Sequence, residues 1–493
     1  MRLFWPFLFL IYYIRRNKKP NYLNSLLVSS RYMNVLFILV DSLRSDHLGI
    51  NGYNRDTSPN IDRLAKQSVF FTTAIPTAPR SVPSIGSIIT GLYPHSSGLR
   101  LEIKSGPKER KILSKFILDS AEDRLKSNVT TLQEILQSHG FKTIGNDIEM
   151  DDTGIEKGFD EFNLIRWRII NKIKRTVKKT FGISYTINPT EALTDLMMNY
   201  IKKFKSNKFF LYMHYVGLHW PYTPPKPYDE MFDPNYKGKH TFNEVDGEIS
   251  RGDLIFNNKL PKEEIEHAIA HYDGAMRYVD FQIGKLLEHL NKSNLMENTL
   301  IVLCGDHGEC FGEHNLYFQH GEYLYDEALK VPLIIKHPTF QKKTIKNQVQ
   351  LTDIMPTVLE ILDIPLIENT DGISLMPLIN DGEEVRKFTF AESGINFFKQ
   401  NKRTYFNGIK GKWRMIRTDE WKLIFIPHPK KDIFELYNLK DDPKETKNMF
   451  EKKPGIANKL KEELFKWMKD SDSKEDLDLT EKSKETLRKL GYM

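Results

Sequence analysis

A serine, two aspartates and a histidine stand where the chain's own geometry would present them for chemistry. Ser81 opens the stretch Ser81-Val82-Pro83-Ser84-Ile85-Gly86-Ser87-Ile88-Ile89-Thr90-Gly91. Pro83 suits the first turn of a helix, where a missing N–H costs nothing. Ser81 or Ser84 would cap the orphan N–H groups of that turn. The helix dipole favours negative charge at this end, so a hydroxyl here is placed to meet a sulfate or phosphate ester. Taken alone, the same stretch is an ordinary Ser-Pro helix start. Asp41 ends the apolar run 34–41, and Asp306-His307 follows the apolar run 299–305. Such runs predict buried parallel strands, whose carboxyl ends are where open α/β sheets carry their sites. Two carboxylates and an imidazole suit one divalent cation such as Ca²⁺, Mg²⁺ or Mn²⁺. For Asp41 by itself, a helix cap or loop hydrogen bond explains the residue as well.

The stretch from Ser81 to Thr90-Gly91 resembles the nucleophile turn of the sulfatase family, within the alkaline-phosphatase superfamily. There Cys or Ser, any residue, Pro, Ser and Arg open a helix that ends in Thr-Gly. Other segments match in order: Ser58-Pro59-Asn60-Ile61-Asp62, His219-Trp220-Pro221-Tyr222-Thr223-Pro224-Pro225, Tyr272-Asp273-Gly274, Tyr325-Asp326-Glu327, Val331-Pro332-Leu333, Asp353-Ile354-Met355-Pro356-Thr357 and Glu435-Leu436-Tyr437-Asn438-Leu439. Their common order over 34–450 identifies the chain as a member. The resemblance implies Ser81 as nucleophile, with Asp41, Asp306 and His307 on one divalent ion. It also implies that His219 contacts the anionic ester group and protonates the leaving oxygen.

The sequence departs from the family pattern at several points. Ile85 stands where the motif arginine belongs, so the signal for converting the nucleophile to formylglycine is broken, and Ser81 is expected to stay serine. Ser42 replaces a second metal-binding acid after Asp41. Gly145-Asn146-Asp147 stands where a Lys and a His are usual, so both cationic side chains are expected to be lost. A lysine is also usual near Gln319-His320-Gly321, where His320 either takes over its contact with the anion or is an ordinary loop histidine. Arg80, just before Ser81, reads first as an ordinary surface arginine; the alternative is that it contacts the anion and supplies the positive charge that Ile85 cannot.

These groups require a large sheet to carry them. The expected fold is α/β, a mostly parallel sheet sandwiched by helices, over 34–385. A small C-terminal antiparallel sheet with a helix from about 453 to 468, and a charged tail, would fill 386–493. The 493 residues suffice for one large domain with a smaller companion. The two cysteines, Cys304 and Cys310, imply no disulfide framework, which favours a reducing, cytoplasmic location. Residues 1–33 read as a leader. Its apolar run from 3 to 14 is too short to span a bilayer, and it either rests at a membrane interface or precedes a start at Met33. Over 164–181 basic residues accompany Ile165, Ile169, Ile173, Val177 and Phe181. That spacing predicts a basic amphipathic helix, packed on its own domain or lying on an anionic membrane surface. No base-reading or stacking element points to nucleic acid. The expected activity is metal-dependent hydrolysis of a sulfate ester on an anionic small molecule or glycan. The alternatives are a phosphate mono- or diesterase, a phosphoryl-group transferase acting on a glycan or lipid, and a catalytically degenerate binding protein.

Overall fold

The computed structural model describes residues 33–99, 124–147, 153–164, 188–238, 261–321, 323–393, 413–427 and 431–472. The leader, nearly all of the basic stretch 164–181 and the end of the charged tail lie outside the described residues.

Strand β1 (Asn34–Val40) is buried along its whole length. It pairs in parallel with β5 (Phe209–Tyr215) on one side and β6 (Thr299–Gly305) on the other. That central position explains the unbroken apolar runs read from the sequence, because both faces of these strands are covered. The sheet continues through β2 (Val69–Ile75), β3 (Lys142–Asp147), β4 (Glu161–Leu164), β9 (Val331–Lys336) and β10 (Lys343–Ile345), in the order β10-β2-β9-β6-β1-β5-β3-β4. β11 (Val349–Gln350) also pairs with β2. Every pairing is parallel except the two made by β9, which runs against β2 and β6. Among the described residues between β6 and β9 the chain forms only short elements, including the paired β7 (Cys310–Phe311) and β8 (Tyr317–Gln319). A return without a crossover helix demands an antiparallel partner.

Helices α1 (Pro59–Ala65), α2 (Ser81–Thr90), α3 (Pro189–Phe204), α4 (Lys262–Lys292) and α5 (Ile354–Ile361) cover the two faces. Phe37, Leu39, Tyr212 and Val302 face α2 and α5, packing with Ile85, Ile88, Ile89, Met355 and Val358. Leu36, Ile38, Leu211 and Met213 face α1, α3 and α4, against Ile61, Met197, Met276 and Ile283. Asn188 caps α3 by accepting the N–H of Thr190, with Pro189 in the first turn. A second sheet of β12 (Thr389–Glu392), β13 (Arg414–Arg417), β14 (Trp421–Ile426) and β15 (Ile433–Asn438) is wholly antiparallel. Helix α6 (Pro454–Asp472) packs Ala457, Leu460 and Leu464 onto its Ile416, Leu423 and Leu436. Both sheets agree with the expected architecture.

The turn after β1 is held from a distance. Tyr272, fully buried on α4, donates its hydroxyl to the carbonyl of Ser42 (2.7 Å) and accepts the N–H of Arg44 (3.0 Å). Next to it, Asp273 accepts from Tyr53 and Arg55 and pairs with His47. Replacing Tyr272 by Phe leaves two buried backbone groups unpaired, at a cost of about 1–3 kcal/mol. Chemical denaturation of the Tyr272→Phe variant is expected to show that loss with unchanged secondary structure. Wild-type stability would contradict this role.

Candidate active site

Register brings the candidate residues together. Leu39 stands beside both His214 and Cys304, and Val40 beside Gly305. One residue further, Asp41 and Asp306 therefore leave adjacent strand ends on the same face, because side chains alternate along a strand. His214 shares that face from β5. Asp147 joins it from β3, where Gly145 pairs with Tyr212. The face is the one that α2 covers, so Ser81 at the helix start lies over the carboxylates.

The donor atoms of Asp41, Asp306 and His307 all lie within 4.8 Å of one another, and all three residues are buried. His307 Nε2 is 3.5 Å from Asp41 Oδ1 and 3.5 Å from Asp306 Oδ2. Its Nδ1 meets the carbonyl of Gly308 at 2.8 Å, which puts the ring proton there and leaves Nε2 with a lone pair. Burial pushes the His307 pKa down to about 4 and raises that of Asp306. Asp306 Oδ2 is buried with no hydrogen-bond partner among the described residues. A neutral imidazole, two carboxylates and an orphaned buried oxygen form a donor set that fits a divalent cation.

Ser81 Oγ lies 3.1 Å from His307 Nε2. Neither Ser81 nor Ser84 caps the helix, contrary to expectation: Arg80 occupies the N-cap and no side chain caps the first turn. Ser84 instead donates to the Asp306 carbonyl at 2.7 Å, tying the helix start to the Asp306-His307 loop. Ile85 is fully buried in the core beneath α2, far from the polar work expected of an arginine at that position. Ser42 does not point to solvent. Its hydroxyl donates to Asp41 Oδ1 (2.7 Å) and its N–H to Asp306 Oδ1 (3.2 Å), from a backbone at φ 57°. Such a φ is uncommon for a residue with a side chain and marks a turn held by its surroundings.

His320 and His219 complete the rim. The His320 ring centre is 4.2 Å from that of His307 and 5.2 Å from that of His219. His320 Nδ1 meets buried Glu309 at 3.3 Å, and His219 Nδ1 meets the Trp220 carbonyl at 2.6 Å. Ser81, His219 and His320 are partly exposed while the three donors are buried, so an ester would approach over a closed floor. Arg80 is no surface residue: it is only 6% exposed, and its Nε donates to the Gly321 carbonyl at 3.2 Å. Gly321 has φ 102°, and a Cβ there would collide with this guanidinium. Arg80 thus fixes the loop that carries His320.

Two groups escaped the sequence reading. His214 Nδ1 meets Asp147 Oδ1 at 2.8 Å, and His214 Nε2 lies 4.0 Å from Asp41 Oδ2 and 3.9 Å from Asp306 Oδ2. Burial opposes charge on this imidazole, but Asp147 and the two other carboxylates outweigh it and raise its pKa to about 9. The segment 145–147 was expected to mark lost cations, yet it delivers a carboxylate that grips a histidine. The available signal was a polar residue next to last in an apolar strand.

The Sulfatase family model matches residues 33–364, and the model of the N-sulphoglucosamine sulphohydrolase C-terminal region matches residues 312–471. An arylsulfatase of Clostridium perfringens is 26% identical over 452 residues, covering 84% of this chain and 90% of that protein. Among solved structures, the phosphonate monoester hydrolase of Agrobacterium radiobacter superposes with a TM-score of 0.68 at 19% identity, covering 89% of this chain and 96% of the other. A protein bound to its substrate D-glucosamine-2-N,6-O-disulfate superposes with a TM-score of 0.66 at 19% identity, covering 91% of this chain and 100% of the other. With its family match spanning most of its length, this chain belongs to the sulfatase family and is a sulfatase-like ester hydrolase.

Proposed function

We propose that the chain hydrolyses sulfate esters of anionic small molecules or glycans, with unmodified Ser81 as nucleophile and one divalent ion on Asp41, Asp306 and His307. The observation that carries this reading is the Ser81 hydroxyl, 3.1 Å from His307 Nε2 beside the buried donor set. A bound ion there would offset ester charge and lower the pKa of the serine hydroxyl. Ser81 Oγ attacks sulfur, the S–O bond to the leaving alcohol breaks, and the serine proton passes to solvent. His219 protonates the departing oxygen, and His320, held by Glu309, faces the transferred group. Water then attacks the sulfo-serine and frees inorganic sulfate. The name of the Clostridium perfringens relative and the sulfated sugar bound in a similar fold support the sulfate-ester class.

A phosphate or phosphonate ester is the second reading, favoured by Ile85. Without the arginine that marks the nucleophile for conversion, Ser81 has no second hydroxyl with which to expel sulfate, and its covalent ester must be cleaved at sulfur or phosphorus. Phosphoryl-serine lends itself to that step when cationic groups surround it. The likeness to a phosphonate monoester hydrolase fits this class as well.

Two measurements test these readings. Asp41→Ala and Asp306→Ala are each expected to abolish binding of one divalent ion and with it activity, whereas His307→Ala, losing a neutral donor, weakens binding less. Elemental analysis with full metal in both aspartate variants would contradict the donor set. On matched aryl esters, the sulfate reading predicts the higher kcat/KM for sulfate and the second reading the higher kcat/KM for phosphate, and both predict that Ser81→Ala loses both activities. Faster sulfate turnover would assign the serine enzyme to sulfate; activity in Ser81→Ala would remove Ser81 as nucleophile.

A further inference from the structure

His214 is a buried imidazole that the hydrolytic steps leave unused. Only 1% of its side chain is exposed. Nδ1 contacts the Asp147 carboxylate at 2.8 Å, the arrangement in which Nδ1 carries the proton and donates it. Nε2 then faces the gap between Asp41 Oδ2 (4.0 Å) and Asp306 Oδ2 (3.9 Å). With no ion bound, the carboxylates favour a proton on Nε2, but at these distances it makes no hydrogen bond to either oxygen. A divalent ion in the gap would take the place of that proton and bind the Nε2 lone pair. Accordingly, Nε2 is buried with no hydrogen-bond partner among the described residues, as is Asp306 Oδ2. Two donors on one ion at ~2.1 Å are separated by about 3.0–3.4 Å, so closing the gap takes a shift of about 0.5–1.0 Å.

We infer that His214 is a further ligand of the divalent ion, oriented by Asp147, so that the site presents two carboxylates and two imidazoles. This rests on the metal reading above and deepens it. Asp147 is then the outer carboxylate that metal-bound histidines commonly hold through their second nitrogen. A second imidazole also shifts the choice of ion. Ca²⁺ and Mg²⁺ take oxygen donors, whereas nitrogen donors favour transition ions along the series from Mn²⁺ to Zn²⁺. The site is therefore selective for such an ion over Ca²⁺.

The test uses the full chain, stripped by chelation and reloaded with Zn²⁺ for X-ray absorption and with Mn²⁺ for affinity. The spectrum is expected to show two imidazoles in the wild type and one in His214→Ala. Mn²⁺ affinity is expected to fall about 10–100-fold in both His214→Ala and Asp147→Asn, with a smaller change for Ca²⁺. A single imidazole in the wild type, or unchanged Mn²⁺ affinity in His214→Ala, overturns the assignment and leaves the three-donor site standing. Should His214→Ala fail to fold, the wild-type imidazole count and the milder Asp147→Asn variant decide the matter. Failure of the wild type to take up any ion would instead remove the metal reading itself.

Discussion

Two buried carboxylates at the ends of neighbouring strands set the terms for everything around them. Parallel pairing of β1 with β6 puts Asp41 and Asp306 side by side, and the covered sheet denies both of them water. Like charges this close and this dry are unfavourable without a compensating cation. The surrounding structure reads as the means of holding that charge in place. Ser42 donates from its hydroxyl to one carboxylate and from its backbone to the other, and the N–H of His307 donates to Asp306 as well. Each of these donors sits at a fixed strand end or in a tight turn, so the carboxylates have little freedom to swing apart.

The same anchoring extends to the groups that would handle substrate. Ser84 joins the start of α2 to the Asp306 carbonyl, so the helix that presents Ser81 cannot drift from the donor set. Arg80, one residue before Ser81, binds the carbonyl of Gly321, which follows His320. A single short stretch, 80–84, therefore positions Ser81, the Asp306-His307 loop and the histidine rim together. Catalysis by preorganised charge needs this rigidity, because dipoles that must reorient give up part of the stabilisation they could supply.

Much of this was legible in the sequence, for physical reasons that differ from element to element. The three central strands announced themselves because covered parallel strands must be apolar throughout. Asp41, Asp306 and His307 were legible because a charged residue directly after such a run has few places to be except the sheet's carboxyl edge. The order of weak motifs supplied the rest of the family assignment. His214 and Asp147 were not legible. Their meeting depends on which strand neighbours which and in what register, and nothing in 142–147 or 209–215 alone encodes that β3 lies beside β5. Arg80 was read as a surface residue because local sequence cannot show that Gly321 leaves room for its guanidinium. Nor does the sequence of 81–84 reveal that its serines turn away from capping, since Ser84 finds its acceptor more than two hundred residues along the chain.

Ser81, which α2 places against a charged and buried donor set, is proposed to act as an unmodified serine. Mass spectrometry of the Ser81 peptide, from resting enzyme and from enzyme acid-quenched during turnover of an aryl ester, tests it most directly. An unaltered serine is expected at rest, and a sulfo- or phospho-serine at this position after the quench. A resting peptide lighter by two hydrogens, or one that forms a hydrazone, would contradict it, because the nucleophile would then be formylglycine.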